Sequence, residues 1–74
     1  MAFSSKKEFT HNLAENIKKA RKAKGMGQEA LAHEAGLYRT YVGHIETGKY
    51  SPSAYIVYKI AKALKVNVSE LYPK

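Results

Sequence analysis

Apolar residues recur at intervals of three and four along almost the whole chain, and strict alternation is absent, so the pattern predicts helices and no sheet. Phe9, Leu13, Ile17 and Ala20 mark the inner stripe of a first amphipathic helix. Ser5 with Glu8 forms a capping box at its start, Thr10 is a second candidate cap, and Gly25 supplies a left-handed stop. A short second helix is predicted from Gln28 to about Ala35, with Gly27 at its N-cap and Gly36 breaking the pattern after it. A third is predicted from about Arg39 to Thr47, ending at Gly48. Ser51 as cap and Pro52 at the first helical position open a fourth, whose stripe is Val57, Ile60, Ala61 and Leu64. Asn67 and Glu70 read as a capping box for a last turn, with Val66 and Leu71 as its hydrophobic staple.

The expected architecture is therefore all-α, five helices in one domain spanning residues 1–74, with a core from about 13 to 71 and residues 1–9 as an N-terminal extension. Between the second and third helices only a few residues intervene. Gly36 permits a sharp turn there, and Leu31, Ala35, Leu37, Val42 and Ile45 tie the two helices together across the small Ala32. That is the layout of a helix-turn-helix from Gln28 to Thr47. At about 100° per residue, Val42 and Ile45 point inward. Thr40, His44 and Thr47 point away, and Arg39 and Tyr41 flank that face. Gly43 lies beside them, where it lets the helix approach the floor of a groove. Arginine donates a fork to guanine, and threonine bonds a base edge or touches a thymine methyl, so the outer face suits base reading better than packing.

Composition narrows the partners. The 74 residues carry 13 Lys and Arg against 6 Asp and Glu, a formal charge of +7, which calls for an anionic partner. Lys18, Lys19, Arg21, Lys22 and Lys24 crowd the first helix, where they serve either as a solvated face or as a lure for DNA. There is no cysteine, hence no disulfide framework and no thiolate metal site, which fits a reducing compartment. Met1 to Lys7 shows no apolar stretch of the signal-peptide kind, and no run reaches membrane-spanning length.

The expected location is the cytoplasm. His11, His33 and His44 lack close metal-ligand spacing, and no phosphate loop, cysteine nucleophile or purposeful carboxylate pair is present. No metal, cofactor, small-molecule ligand or enzymatic activity is expected, and the chain has no room for a separate effector-binding domain. Asn67-Val-Ser69 matches a glycosylation sequon but is better explained as a helix cap.

The run MGQEALAHEAGLYRTYVGHIETGK, Met26 to Lys49, resembles the helix-turn-helix of the Cro/C1 repressor family, also called the Xre family. The likeness extends from about Leu13 to Leu71, through Pro52 and the Ile60–Val66 stretch, and Arg39–Val42 resembles restriction-modification controller proteins. It implies a lambda-repressor-like domain that regulates transcription by binding a palindromic operator as a homodimer. It implies base reading by Arg39, Thr40 and His44. Backbone contacts fall to Gln28, Tyr41 and Lys49, and a sugar-phosphate contact to Tyr38. It also implies a structural pair of Arg21 with Glu46, and the helical wheel independently sets Glu46 next to the inward face. Two positions depart from the family: Gly27 and Tyr38 stand where a serine or threonine cap is usual, each worth about 1 kcal/mol.

Tyr55 and Ile56 lie off the buried stripe of the fourth helix, and with Tyr72 they are the expected dimer interface, since family members pair through this region. The rival reading is an antitoxin or adaptor that uses the same fold chiefly to bind a protein.

Overall fold

The computed structural model describes residues 5–74; the expectations for Met1 to Ser4 lie outside the described residues. Four α-helices follow in order: α1 (Lys6–Ala23), α2 (Gln28–Glu34), α3 (Tyr41–Glu46) and α4 (Ala54–Leu64). The expected fifth helix is a single 3₁₀ turn, Val68–Glu70.

Ser5 wins the contest for the first cap. Its hydroxyl accepts from Glu8 N–H at 3.1 Å, and the Glu8 carboxylate accepts from Ser5 N–H at 3.3 Å. Thr10 and residues 6–9 consequently lie inside α1 rather than in an extension before it. The turn between α2 and α3 forms as a Schellman closure. Leu37 N–H donates to Ala32 C=O at 2.8 Å and Gly36 N–H to His33 C=O at 3.1 Å, while Gly36 takes a φ of +70° that a side chain would resist. The same closure ends α4, but there Lys65 holds the left-handed conformation, at φ 59°.

Two helix starts differ from the sequence expectation. α4 begins at Ala54, not at Pro52, because Ser53 is the residue whose hydroxyl reaches Ile56 N–H, at 3.2 Å; Ser51 lies near Thr10 instead. α3 begins at Tyr41, not at Arg39. Arg39 and Thr40 form a tight turn in which Tyr41 N–H donates to Tyr38 C=O at 2.9 Å, and no side chain caps the helix. The missing cap at Tyr38 thus shortens the regular helix by two residues without unwinding the chain.

Leu13, Ile17, Leu31, Ala32, Ala35, Val42, Ile45, Val57, Ile60, Ala61, Leu64 and Leu71 make one core that draws on every helix. Leu37 and Ala20 are half-buried at its margin. Phe9 departs from the predicted inner stripe: it is 38% exposed and lies against Tyr72, ring centroids 6.1 Å apart. The C-terminal turn is fastened to α1 by Asn16, whose Nδ2 donates to Leu71 C=O at 2.9 Å. Leu71 is fully buried and its carbonyl is bonded, which closes the core at the C-terminal turn.

Candidate nucleic-acid interface

α3 is six residues long and could not hold itself helical in water. Its inner face is anchored by Val42 and Ile45, both fully buried. Its C-terminal end is fixed by an ion pair to α1. Arg21 Nε donates to Glu46 Oε2 at 2.7 Å and Arg21 Nη2 to Glu46 Oε1 at 2.9 Å, a two-pronged contact with side chains only 9% and 3% exposed. The third guanidinium nitrogen donates to Met26 C=O at 2.8 Å, so the fork is satisfied on every nitrogen.

Burial pushes the Glu46 carboxyl toward a higher pKa. The hydrogen bonds from Arg21 and Gln28, helped by the positive fields of Arg21 and Lys18, outweigh that and hold it below its ordinary value. The hydrogen bond that Arg21 donates to Glu46, against the pull of burial, likewise raises Arg21 above the ordinary arginine value. Both groups are charged throughout the neutral range.

Gln28 completes this brace. Its Nε2 donates to Glu46 Oε1 at 3.0 Å, which ties the first residue of α2 to the last of α3. The amide lies over Gly43, where a β-carbon would stand 3.2 Å from Gln28 Oε1. The small size of Gly43 therefore serves the packing of this domain, leaving room for Gln28, as well as any approach of α3 to a groove floor.

On the outer side, a shallow groove of about 330 Å³ runs between α2 and α3, lined by Gln28, Glu29, Arg39, Thr40, Gly43 and His44. Arg39 and Thr40 are exposed at its mouth, and Tyr38 beside them is 70% exposed. His44 is half-buried. Thr47 lines the same groove, and its hydroxyl donates to His44 C=O at 3.2 Å, a local bond that spends it on the backbone. Tyr41 is half-buried against the core, and Lys49 is exposed just past Gly48.

Sequence reasoning missed Tyr50. After Gly48 the chain folds back so that Lys49 N–H and Tyr50 N–H both donate to His44 C=O, at 2.9 and 3.2 Å. This swings the Tyr50 ring between two candidate site residues: its centroid is 4.9 Å from that of His44 and 5.2 Å, edge-on, from that of Tyr41. Lys59, also missed, donates to Gly36 C=O at 3.4 Å and pins the turn from α4. No local pattern signals either contact, because each depends on where the chain returns.

The expected dimer residues separate. Tyr55 is 66% exposed, with Lys59 Nζ 5.3 Å from its ring centroid. Ile56 and Tyr72 are half-buried against the protein's own core. Among the described residues, no helix is long and apolar enough to cross a membrane, and no group of three or more His, Cys, Asp or Glu is arranged to hold a metal ion.

A short helix braced from behind by a buried ion pair, with arginine, threonine and histidine along a free groove, is the reading unit of a DNA-binding helix-turn-helix domain. Comparison with known proteins agrees. The family model HTH_3, described as helix-turn-helix, matches residues 17–71. An uncharacterized HTH-type transcriptional regulator of Archaeoglobus fulgidus is 38% identical over 56 residues, 76% of this chain and 80% of that protein. The control protein C.SmaI of Serratia marcescens is 37% identical over 59 residues, 80% and 70% of the two chains. The crystal structure of the restriction-modification controller protein C.AhdI from Aeromonas hydrophila superposes with a TM-score of 0.82 at 36% identity, covering 85% of this chain and 96% of that one. The chain belongs to the Cro/C1-type helix-turn-helix family of DNA-binding transcriptional regulators.

Proposed function

We propose that the protein acts in the cytoplasm as a twofold dimer on a palindromic operator, each α3 entering a major groove, and that it works by binding and not by catalysis. Arg39 presents its fork to a guanine edge, and Thr40 and His44 address neighbouring base edges. Gln28, Tyr41 and Lys49 set the docking on the phosphate backbone, and Tyr38 meets the sugar-phosphate edge. The observation that carries this reading is the bracing of α3 by Arg21, Glu46 and Gln28: a base reader must be held rigid, and the brace leaves its outer groove free. The likeness to two restriction-modification controllers favours a regulator of that kind over a protein-binding adaptor.

Selection of bound duplexes from a random DNA pool tests the proposal. The expected product is an enriched palindrome with half-site centres about one helical turn apart, or a small multiple of it. A pool that stays unenriched, or yields only an unpaired half-site, sinks the twofold reading.

A further inference from the structure

A second cleft, of about 660 Å³, lies between the first turns of α1 and the segment linking α3 to α4. Lys6, Lys7 and His11 line it from α1, and Lys49 and Ser51 from the opposite wall. Thr10 Oγ1 and Ser51 Oγ lie 3.4 Å apart across it, so two hydroxyls stand among the cationic groups. The single carboxylate in its lining is Glu46, which is committed to Arg21 and Gln28. Among the described residues the one ion pair is Arg21–Glu46, so Lys6, Lys7 and Lys49 face the cleft unneutralised.

The placement of Lys6 and Lys7 runs against the interest of the helix. They occupy the first turn of α1, where the macrodipole disfavours cations. A local rule broken without gain to the fold marks a position serving something else. The cleft also borders the reading groove: Thr47 lines both. Finally, Lys6 to Asn16 precede the residues matched by the family model, so the α1 wall of the cleft stands outside the matched domain.

We propose that the cleft is a second phosphate-binding surface, gripping the DNA backbone beyond the base pairs that α3 reads. The occupant is duplex DNA because three unpaired lysines and two hydroxyls complement phosphate, and because the cleft meets the reading groove at Thr47. The proposal rests on the DNA-binding reading above.

The test compares wild type with K6Q/K7Q on the selected duplex in two forms, one extended by about one helical turn on each side and one trimmed to the selected sequence. On the extended duplex the variant's slope of log affinity against log salt is expected to be shallower by roughly two per bound protomer, about 0.9 for each phosphate that is no longer neutralised. On the trimmed duplex the two proteins are expected to coincide. Equal reductions on both forms, or none on either, overturn the cleft while leaving the DNA reading intact; a wild type that binds neither form overturns the DNA reading itself. The substitutions remove cations from the positive end of a helix, so the variant is expected to melt at or above the wild-type temperature. Ethylation interference on the wild type gives an answer independent of the variant: blocked phosphates outside the selected sequence must impair binding, and interference confined within it overturns the proposal.

Discussion

Arg39 and Lys49 are both exposed cations near α3, and the proposed function gives them different work. Arg39 stands at the mouth of the groove with its fork unspent, since the one ion pair among the described residues belongs to Arg21. Lys49 lies beyond the helix end, its N–H fixed on His44 C=O and its side chain lining the basic cleft. A planar fork reads the two acceptors of a guanine, whereas a compact ammonium sees only charge. Arg39→Ala is therefore expected to cost about 1–3 kcal/mol in operator affinity and to flatten preference at one base pair. Lys49→Ala is expected to weaken all sequences alike and to reduce the salt slope by about one. Titrations of both variants against a panel of single-base operator variants separate these outcomes. A uniform loss for Arg39→Ala would remove it from base reading.

The element scale is where the brace acts. α1 and α3 are 25 residues apart at the Arg21–Glu46 contact, and α2 joins them through Gln28. Glu46 titrates below its ordinary value of about 4.5 in the folded protein. A carboxylate of lowered pKa contributes stability that is fully present above the unfolded value and lost as pH falls through the folded one. Acid is thus expected to loosen the α1–α3 junction below about pH 4.5, in the window between the ordinary and the lowered value. Glu46→Ala leaves the Arg21 charge buried without its partner and is expected to cost roughly 3–5 kcal/mol at neutral pH. Its stability should also lose one proton's worth of dependence on pH in that acid window, which denaturant melts across pH 3 to 7 measure, pH 3 to 7 being about the range that brackets a carboxylate. An acid limb identical to wild type would mean that another carboxylate carries it.

The same scale explains how much of the molecule is legible in its sequence. Ser5 and Glu8 announce a helix start because both halves of the capping box sit in the local sequence, and Gly36 announces a turn because few other residues take its φ. The start of α3 is blurred because Tyr38 offers no capping oxygen, so a turn and a helix differ there only by tertiary context. The start of α4 is easily misplaced because Ser51 and Ser53 flank Pro52, and they part only in the fold, where Ser53 caps Ile56 N–H and Ser51 lies against Thr10 from α1. The pairing of Arg21 with Glu46 is readable from family resemblance and a helical wheel together. Tyr50 is not, since its place over His44 follows from the return of the chain after Gly48.

At the scale of the whole molecule, 74 residues give a small core for their surface, and the second subunit of the proposed dimer would add stability by mass action. In the proposed dimer, the pairing face of α4 centres on its exposed tyrosines. Tyr55 and Tyr58 point away from the buried stripe, and Lys59 and Lys62 approach their rings at 5.3 and 5.8 Å. Tyr72 is instead engaged with Phe9, which locks the C-terminal turn on α1 within one chain. The two tyrosines therefore separate association from folding. Tyr55→Ala is expected to weaken dimerisation at least tenfold, about 1.4 kcal/mol, in sedimentation equilibrium, with the melting temperature of the dilute monomer unchanged. Tyr72→Ala is expected to lower that melting temperature by removing the ring that packs on Phe9, a pairing worth about 0.5–1.5 kcal/mol beyond area burial, and to change dimerisation only in proportion to folding. Wild-type melting should also rise with protein concentration, as it must for any state stabilised by a partner. Concentration-independent melting, together with a sedimentation profile untouched by Tyr55→Ala, would take α4 out of the interface and require the twofold axis of the operator to be met by a different surface.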